Sequence, residues 1–245
     1  MVKQTVKRLK ISEYIIKGQV TEKVRFAFVS DLHNCPFDKV IEEIKKVSPD
    51  ALLVGGDFIH DGNNYTLGLD FLTETASFFP VYLCIGNHEK RFSGDILNEI
   101  NKTKAVCLNN SLTCFKGIYI GGVTSGHGSS MVKGILKSST PDTDFINRFS
   151  NINGFKILLC HHPEYFEPYI ESKNIDLTLS GHAHGGQWQI FGKGVLAPGQ
   201  GLFPKYTWGL HKNRFIISRG IGNPRLIPRI NNPAEIVIID IIPKT

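Results

Sequence analysis

Five short apolar runs in this chain each stop at residues whose side chains can hold a metal ion. The run 24–30 leads into Asp31 and His33, 51–56 into Asp57, 81–86 into Asn87 and His88, 156–160 into His161 and His162, and 177–181 into His182 and His184. Runs this short, β-branched and bounded by glycine, read as buried strands. Laid side by side, they bring all five polar clusters to one edge of a sheet, where open α/β folds bind their ligands. The pattern predicts an active site assembled from strand ends.

Each cluster alone has an ordinary explanation. Asp57, after Gly55 and Gly56, can cap a turn or a helix. Asp31 and His33 alternate at a strand end and point the same way, but such a pair is commonly a surface feature. Asn87 suits a turn, and His161-His162 before Pro163 can be one core ring and one exposed ring. His182 and His184 are harder to dismiss, because two imidazoles two residues apart among glycines are a common metal-binding arrangement. Coincidence would have to strike the same strand edge five times, so the metal-site reading takes all five together.

The donor types narrow the chemistry. Two carboxylates, one amide oxygen and four imidazoles, with no thiolate, suit Mn, Fe or Zn and are too nitrogen-rich for a site built around Mg or Ca. Seven ligands exceed the needs of one ion. Two divalent ions about 4 Å apart, bridged by one carboxylate and a hydroxide, would use them all in a geometry suited to cleaving phosphoesters.

Composition sets looser bounds. A length of 245 residues is read as one domain spanning 1–245. The 28 Lys and Arg against 22 Asp and Glu give a net charge of +6 with no run of five cations, a field that favours anionic small molecules or a membrane surface over nucleic acid. The five cysteines, Cys35, Cys84, Cys107, Cys114 and Cys160, show no CxxC spacing, and Cys84 and Cys160 fall inside apolar runs. A reducing compartment follows, rather than a disulfide framework. Residues 1–23 contain no apolar stretch of signal-peptide or membrane-span length, so a cytoplasmic protein, in peripheral contact with the inner membrane surface at most, is expected.

Along the chain, 5–14 reads as an edge strand. Val40, Ile41, Ile44 and Val47 predict a helix over 37–47 that Ser48-Pro49 ends; Leu67 to Ala76 and Ile96 to Ile100 predict two more. Strand and helix thus alternate through the first half, the pattern of parallel crossovers. Residues 105–123 break into short β-type runs, which suggests a second, more antiparallel sheet packed on the first. The Gly- and Ser-rich 121–134 reads as a mobile loop. Helices over 141–149 and 164–172 precede the last two metal-bearing strands, and 214–242 reads as two strands around a Gly/Pro/Asn loop.

The ordered blocks Asp31-x-His33, Gly56-Asp57, Gly86-Asn87-His88-Glu89, His161 and Gly181-His182-x-His184 resemble the calcineurin-like metallophosphoesterases. The resemblance spans about 24–190. Gly185-Gly186-Gln187, Arg219-Gly220-Ile221-Gly222 and the closing strand look like the bacterial branch that often carries an N-terminal membrane or export segment; residues 1–23 do not read as one, and its absence is the expectation here. The fold this implies is α/β: two packed mixed β-sheets flanked by helices, a four-layer α/β/β/α sandwich. The resemblance also assigns ligands. One metal would take Asp31, His33, Asp57 and His184, and the other Asp57, Asn87, His161 and His182, with Asp57 bridging. His88 would stay off the metals as the catalytic residue, protonating the leaving oxygen or stabilising the transition state. The family often places an Asp three residues after the bridging one to orient that histidine; here the position is His60, followed by Asp61. His162 has no family role.

The function implied is hydrolysis of a phosphate ester by a metal-bridging hydroxide, of a phosphodiester or pyrophosphate rather than a monoester. A phosphomonoesterase, a nuclease and a non-catalytic scaffold are the alternatives. A nuclease would show a concentrated basic groove, and a scaffold of this fold usually loses ligands that are all present here. Candidate substrate contacts are Arg91, Trp208 and His211. Between Gln187 and Arg214 aromatic and basic residues interleave. They read either as ordinary core beside a solvated face or as a rim for an amphiphilic or nucleotide-bearing phosphate.

Overall fold

The computed structural model describes residues 8–60, 65–92, 94–126, 130–132, 135–137, 140–223 and 228–244. In chain order the first half runs β1 (Leu9–Gly18), β2 (Val24–Val29), α1 (Asp38–Val47), β3 (Ala51–Val54), α2 (Thr66–Ala76), β4 (Val81–Leu83), α3 (Asn87–Lys90), α4 (Ile96–Asn101), β5 (Val106–Cys107), β6 (Ser111–Phe115) and β7 (Ile118–Val123). The second half runs β8 (Ser130–Val132), β9 (Ile135–Lys137), α5 (Thr143–Ser150), β10 (Lys156–Cys160), β11 (Leu177–Ser180), β12 (Gln189–Ile190), β13 (Lys193–Gly194), β14 (Leu196–Ala197), β15 (Gly201–Leu202), β16 (Gly209–His211), β17 (Phe215–Ile217) and β18 (Ala234–Pro243). Among the described residues no helix is long and apolar enough to cross a membrane.

Two six-stranded sheets carry the fold, in the orders β1-β18-β2-β3-β4-β5 and β16-β17-β11-β10-β7-β6. In the first, β2 to β5 run parallel, and β18 lies between β1 and β2, parallel to one and antiparallel to the other. The second is mixed and not chiefly antiparallel: β17, β11, β10 and β7 are parallel at its centre, and only the edge strands β16 and β6 run against them.

Three apolar layers account for the sandwich. Phe26, Phe28 and Leu53 of the first sheet meet Ile120, Leu159 and Leu179 of the second, so both inner faces are dry. On the outer face of the first sheet, Ala27, Leu52 and Leu83 pack under Val40, Ile41 and Ile44 of α1 and Phe71 and Leu72 of α2. On the outer face of the second, Leu158 and Phe215 pack with Phe145 and Phe149 of α5 and with Phe166. Strands covered on both faces must be apolar at every position, which is why they read as unbroken runs rather than alternating ones. The result is the expected helix, sheet, sheet, helix sandwich.

The helices follow their local signals. Ser48 closes α1 in the left-handed conformation, and the side chains of Asp95 and Asp142 accept the backbone N–H of Asn98 and Phe145 to start α4 and α5. Three expectations need correction. The edge strand covers 9–18 rather than 5–14; residues 1–7 lie outside the described part. The segment 164–172 is not an α-helix but a 3₁₀ turn, Pro163–Tyr165, followed by a π turn, Phe166–Ile170. Pro168 explains it: having no N–H, it cannot bond to Glu164, and the chain widens until Glu171 N–H reaches Phe166 O at 2.7 Å. The supposed loop 121–134 begins inside β7, and 130–132 pairs with 135–137; residues 127–129, 133 and 134 lie outside the described part.

The five strands that lead into the candidate ligands do not share one sheet. β2, β3 and β4 belong to the first and β10 and β11 to the second, so the polar clusters meet where the ends of two sheets face each other.

Candidate metal centre

The loops after β2 and β3 zip together through their backbones. The N–H groups of Asp31, His33 and Asn34 donate to the carbonyls of Gly56, Asp57 and Phe58 at 3.0, 3.0 and 3.2 Å. Beneath them sits Glu89, fully buried in the first turn of α3. Its Oε2 accepts the N–H of both Asp57 and Gly86 at 2.8 Å, and its Oε1 accepts that of Ile59 at 3.0 Å. One carboxylate thus ties the loop that carries Asp57 to the loop that carries Asn87 and His88. Asp57 Oδ1 in turn accepts the N–H of His88 at 2.9 Å. Gly86 has to be glycine, because a Cβ there would lie 2.2 Å from Asp57 Oδ1.

The second sheet supplies rings. His161 Nδ1 lies 2.7 Å from Gly55 O and donates to it, which turns Nε2 toward Asp57 Oδ2 at 3.1 Å. The N–H of His182 donates to both oxygens of Asp31, at 3.1 and 3.0 Å, and Ser30 Oγ donates to Oδ2 at 2.5 Å. Asn232 Nδ2 donates to His184 O at 2.7 Å. Gly222 N–H donates to Asp31 O at 2.7 Å, so the strap between β17 and β18 fastens the first cluster from outside.

Among the described residues four overlapping groups could hold an ion; His33, His60 and His88 form one and His162, Glu164 and His182 another, and the remaining two contain the two aspartates. Asp31, His33 and His184 form one and Asp57, His161 and His182 the other, with the ligand atoms of each group within 4.8 Å of one another. In the first, His33 Nε2 lies 3.3 Å from His184 Nε2 and 3.7 Å from Asp31 Oδ1. Asp57 Oδ2 lies between the groups, 3.1 Å from His161 Nε2 and 3.9 Å from His33 Nε2. Asn87 Oδ1 is buried with no hydrogen-bond partner among the described residues. Five of these residues, Asp31, His33, Asp57, His182 and His184, hold left-handed backbone, with φ from 47 to 64°. Each such position costs about 1–3 kcal/mol, and that cost clusters at functional sites.

The electrostatics fit a cation. Burial opposes charge on both aspartates, yet the surrounding imidazoles hold the Asp31 and Asp57 carboxyls well below the ordinary range. Burial also opposes charge on His161, but Asp57, Asp31 and the Gly55 carbonyl raise it to about 10. Burial and the His162 ring push His182 down to about 3, and burial drives His184 below its ordinary value. The buried carboxylates therefore draw positive charge onto His161, while His182 and His184 are held neutral. Imidazoles, carboxylates and an amide oxygen with no described hydrogen-bond partner are the donors that divalent transition metals bind.

His88 stands beside both groups, its Nε2 3.8 Å from Asp57 Oδ2. His60 stacks on its ring at a centroid distance of 4.8 Å and His33 meets it edge-on at 4.6 Å; Asp61 lies outside the described residues. His162 is buried against His182, with ring centroids 4.3 Å apart, and its Nδ1 meets Glu164 Oε1 at 3.1 Å. The three suggested substrate contacts sit differently. Arg91 is exposed and caps the C-terminus of α3. Trp208 has Arg219 over its ring at 3.7 Å and donates to Gly192 O, and His211 Nε2 lies 3.0 Å from Trp208 O with its ring against Tyr206. Neither of these last two has a described contact with the metal-ligating groups.

Two residues here, Glu89 and Arg229, have no role assigned from the sequence. Glu89 was legible as the third residue of a helix opening at Gly86, the spacing of a capping box. Arg229, whose Nη2 lies 3.4 Å from His184 Nδ1 and also donates to Gly222 O, had no such signal, because it lies 45 residues from its partner.

Known proteins bear on this arrangement. An uncharacterized metallophosphoesterase of Helicobacter pylori is 28% identical over 97% of this chain and 65% of its own length. One of Campylobacter jejuni is 31% identical over 86% of this chain and 55% of its own. The chain therefore spans less than two thirds of either. The phosphodiesterase YaeI of Escherichia coli is 24% identical, covering 89% of this chain and 82% of that protein. The sequence profile described as calcineurin-like phosphoesterase matches 24–186, more than half of the chain, from the start of β2 to the turn that carries His184, and on that match the chain belongs to the calcineurin-like phosphoesterases.

Proposed function

We propose that this chain is a binuclear-metal hydrolase of phosphate esters that acts on a phosphodiester or a pyrophosphate. The observation that carries the reading is Asp57 Oδ2, which faces His161 from one donor group and His33 from the other. Asp31, His33, Asp57 and His184 would hold one divalent ion, and Asp57, Asn87, His161 and His182 the second. Bound there, the ions would neutralise phosphate charge and lower the pKa of a water enough to supply a nucleophile near neutral pH.

The chain's own residues do the rest. Glu89 holds the Asp57 and Asn87 loops in register through three backbone donors. Gly55 O fixes the tautomer of His161, so that Nε2 is the coordinating atom. His88, off both donor groups, is the proton donor for the leaving oxygen, and the His60 ring stacked on it restrains its orientation. A monoesterase would add an arginine clamp for a dianion, and Arg91 alone, at the exposed end of α3, does not make one.

The test is metal analysis of the purified protein together with rates on bis-p-nitrophenyl phosphate, p-nitrophenyl phosphate and a pyrophosphate at saturating Mn²⁺. Two equivalents of transition metal and a preference for the diester or pyrophosphate are expected. A single equivalent would sink the binuclear assignment, and a clear preference for the monoester, lost in Arg91→Ala, would sink the substrate class.

A further inference from the structure

Just beyond His184 the chain makes an excursion that the catalytic reading leaves unexplained. β12 pairs with β13 and β14 with β15 as two short hairpins; Phe203 N–H donates to Val195 O at 2.8 Å, and Gln189 N–H donates to Ile230 O at 2.9 Å. These backbone bonds join 188–203 and Ile230 into one ledge. Its large apolar side chains face water: Phe191 is fully exposed, Phe203 81%, Leu202 69%, Ile190 57%, and Ile230 and Trp188 nearly half. Buried apolar contact cannot be the reason these residues are there.

The backbone sharpens the point. Phe191 and Gly192 form a two-residue hairpin turn with φ of 49 and 77°, the sign pattern of a type I′ turn, whose first position favours Asn. Phe203 is also left-handed, at 52°. A bulky residue in that conformation is an outlier, and here it gains no packing in return.

Charge names the partner. From Leu177 to Ala234 the chain carries seven Lys or Arg and no Asp or Glu, so this region supplies the protein's whole positive excess. Lys193 is exposed on the first hairpin, and Lys205 lies two residues past Phe203. Lys205 and Lys212 reach Glu167 and Glu171, but exposed pairs of this kind are weak and readily exchanged. Exposed aromatic tips beside Lys193, with Lys205 and Lys212 able to exchange their surface partners for headgroups, match an anionic bilayer surface, where rings enter the interface and lysines meet headgroups.

We propose that these hairpins are a membrane-docking ledge that seats Phe191 and Phe203 in the headgroup region of an anionic lipid bilayer and thereby holds the metal centre beside that surface. The proposal does not depend on the hydrolytic reading, since its readout is lipid binding. The full-length protein would be sedimented with vesicles of phosphatidylcholine alone and of phosphatidylcholine containing about one quarter phosphatidylglycerol. Binding to the anionic vesicles is expected, weakened by about 0.5 M salt. In Phe191→Ser/Phe203→Ser it should fall on the order of 10- to 100-fold, with the thermal melt and bis-p-nitrophenyl phosphate hydrolysis unchanged. If the double variant misfolds, Phe191→Asn, which suits the turn, gives the same readout. Wild-type protein left in the supernatant, or a variant that binds equally well, overturns the proposal, and equal binding to pure phosphatidylcholine overturns its anionic part. Self-association in sedimentation velocity that the variant abolishes, without vesicle binding, would assign the ledge to a second copy of the chain instead.

Discussion

The strand-end rim and the hairpin ledge adjoin each other, and both hold non-glycine residues in left-handed backbone, yet they treat that strain in opposite ways. At the rim, Asp31, His33, Asp57 and His184 are buried and tied down by Glu89, Gly222 and Asn232, so many bonds fix each strained residue. On the ledge, Phe191 and Phe203 are strained and almost bare. The difference teaches where to look for purpose. Strain at the rim gathers buried carboxylates and imidazoles into one place, whereas strain on the ledge has no inward-facing result and must be explained from outside the molecule.

Substitutions can break or sharpen this contrast. The largest effect is expected from Asp57→Asn, which removes the charge between the two donor groups: activity should fall by more than ~10³-fold, and metal analysis should show both ions lost. Retention of two ions with a modest loss of rate would mean that Asp57 does not bridge. His88→Ala should cost on the order of 10²–10⁴ in kcat with metal content intact. Metal loss in that variant would make His88 a ligand.

Glu89→Gln tests the tethering itself. The amide retains one acceptor oxygen for three backbone donors, so metal affinity or rate should drop roughly 10- to 100-fold while the fold persists, as read by metal titration and circular dichroism. A chelator should lower the melting temperature of the wild type, because ions held by the native rim at about 100-fold over their Kd stabilise it by about 2.7 kcal/mol; an unchanged melt would argue that the rim stands without them. The smallest effect belongs to the ledge. Phe191→Asn should stabilise by about 0.5–1 kcal/mol, seen as a slightly higher melting temperature, because Asn tolerates the left-handed turn. A destabilised variant would show that Phe191 has a packing role after all.

The parts legible in the sequence were those encoded locally. Strands buried on both faces announce themselves as unbroken apolar runs, and α1 by the spacing of Val40, Ile41 and Ile44. The candidate donors at the strand ends are readable too, because each follows its run directly. What depends on distant pairing was not. Nothing near β10 or β11 says that they join β7 and not β4, so the clusters were assigned to one edge when they face each other across two sheets. Pro168 is in plain view, yet the segment around it reads as an α-helix where the chain makes a π turn. Tyr206 is core, as the plainer reading of its segment holds, but Phe191 and Phe203 are neither core nor solvated charge. Exposure of that kind cannot be read from residue type.

The position of β18 bears on when the rim can exist at all. This strand, at 234–243, lies between β1 and β2, and the strap before it supplies Ile221 N–H to Ser30 O and Gly222 N–H to Asp31 O. During synthesis the first ligands leave the ribosome roughly 10–40 s before these partners do, at the usual 5–20 residues per second. Until then β2 can pair with β3 but β1 has no strand partner in its sheet, and such long-range closure is intrinsically slow. The backbone bonds that clasp Asp31 are therefore among the last to form, after most of the chain has been made.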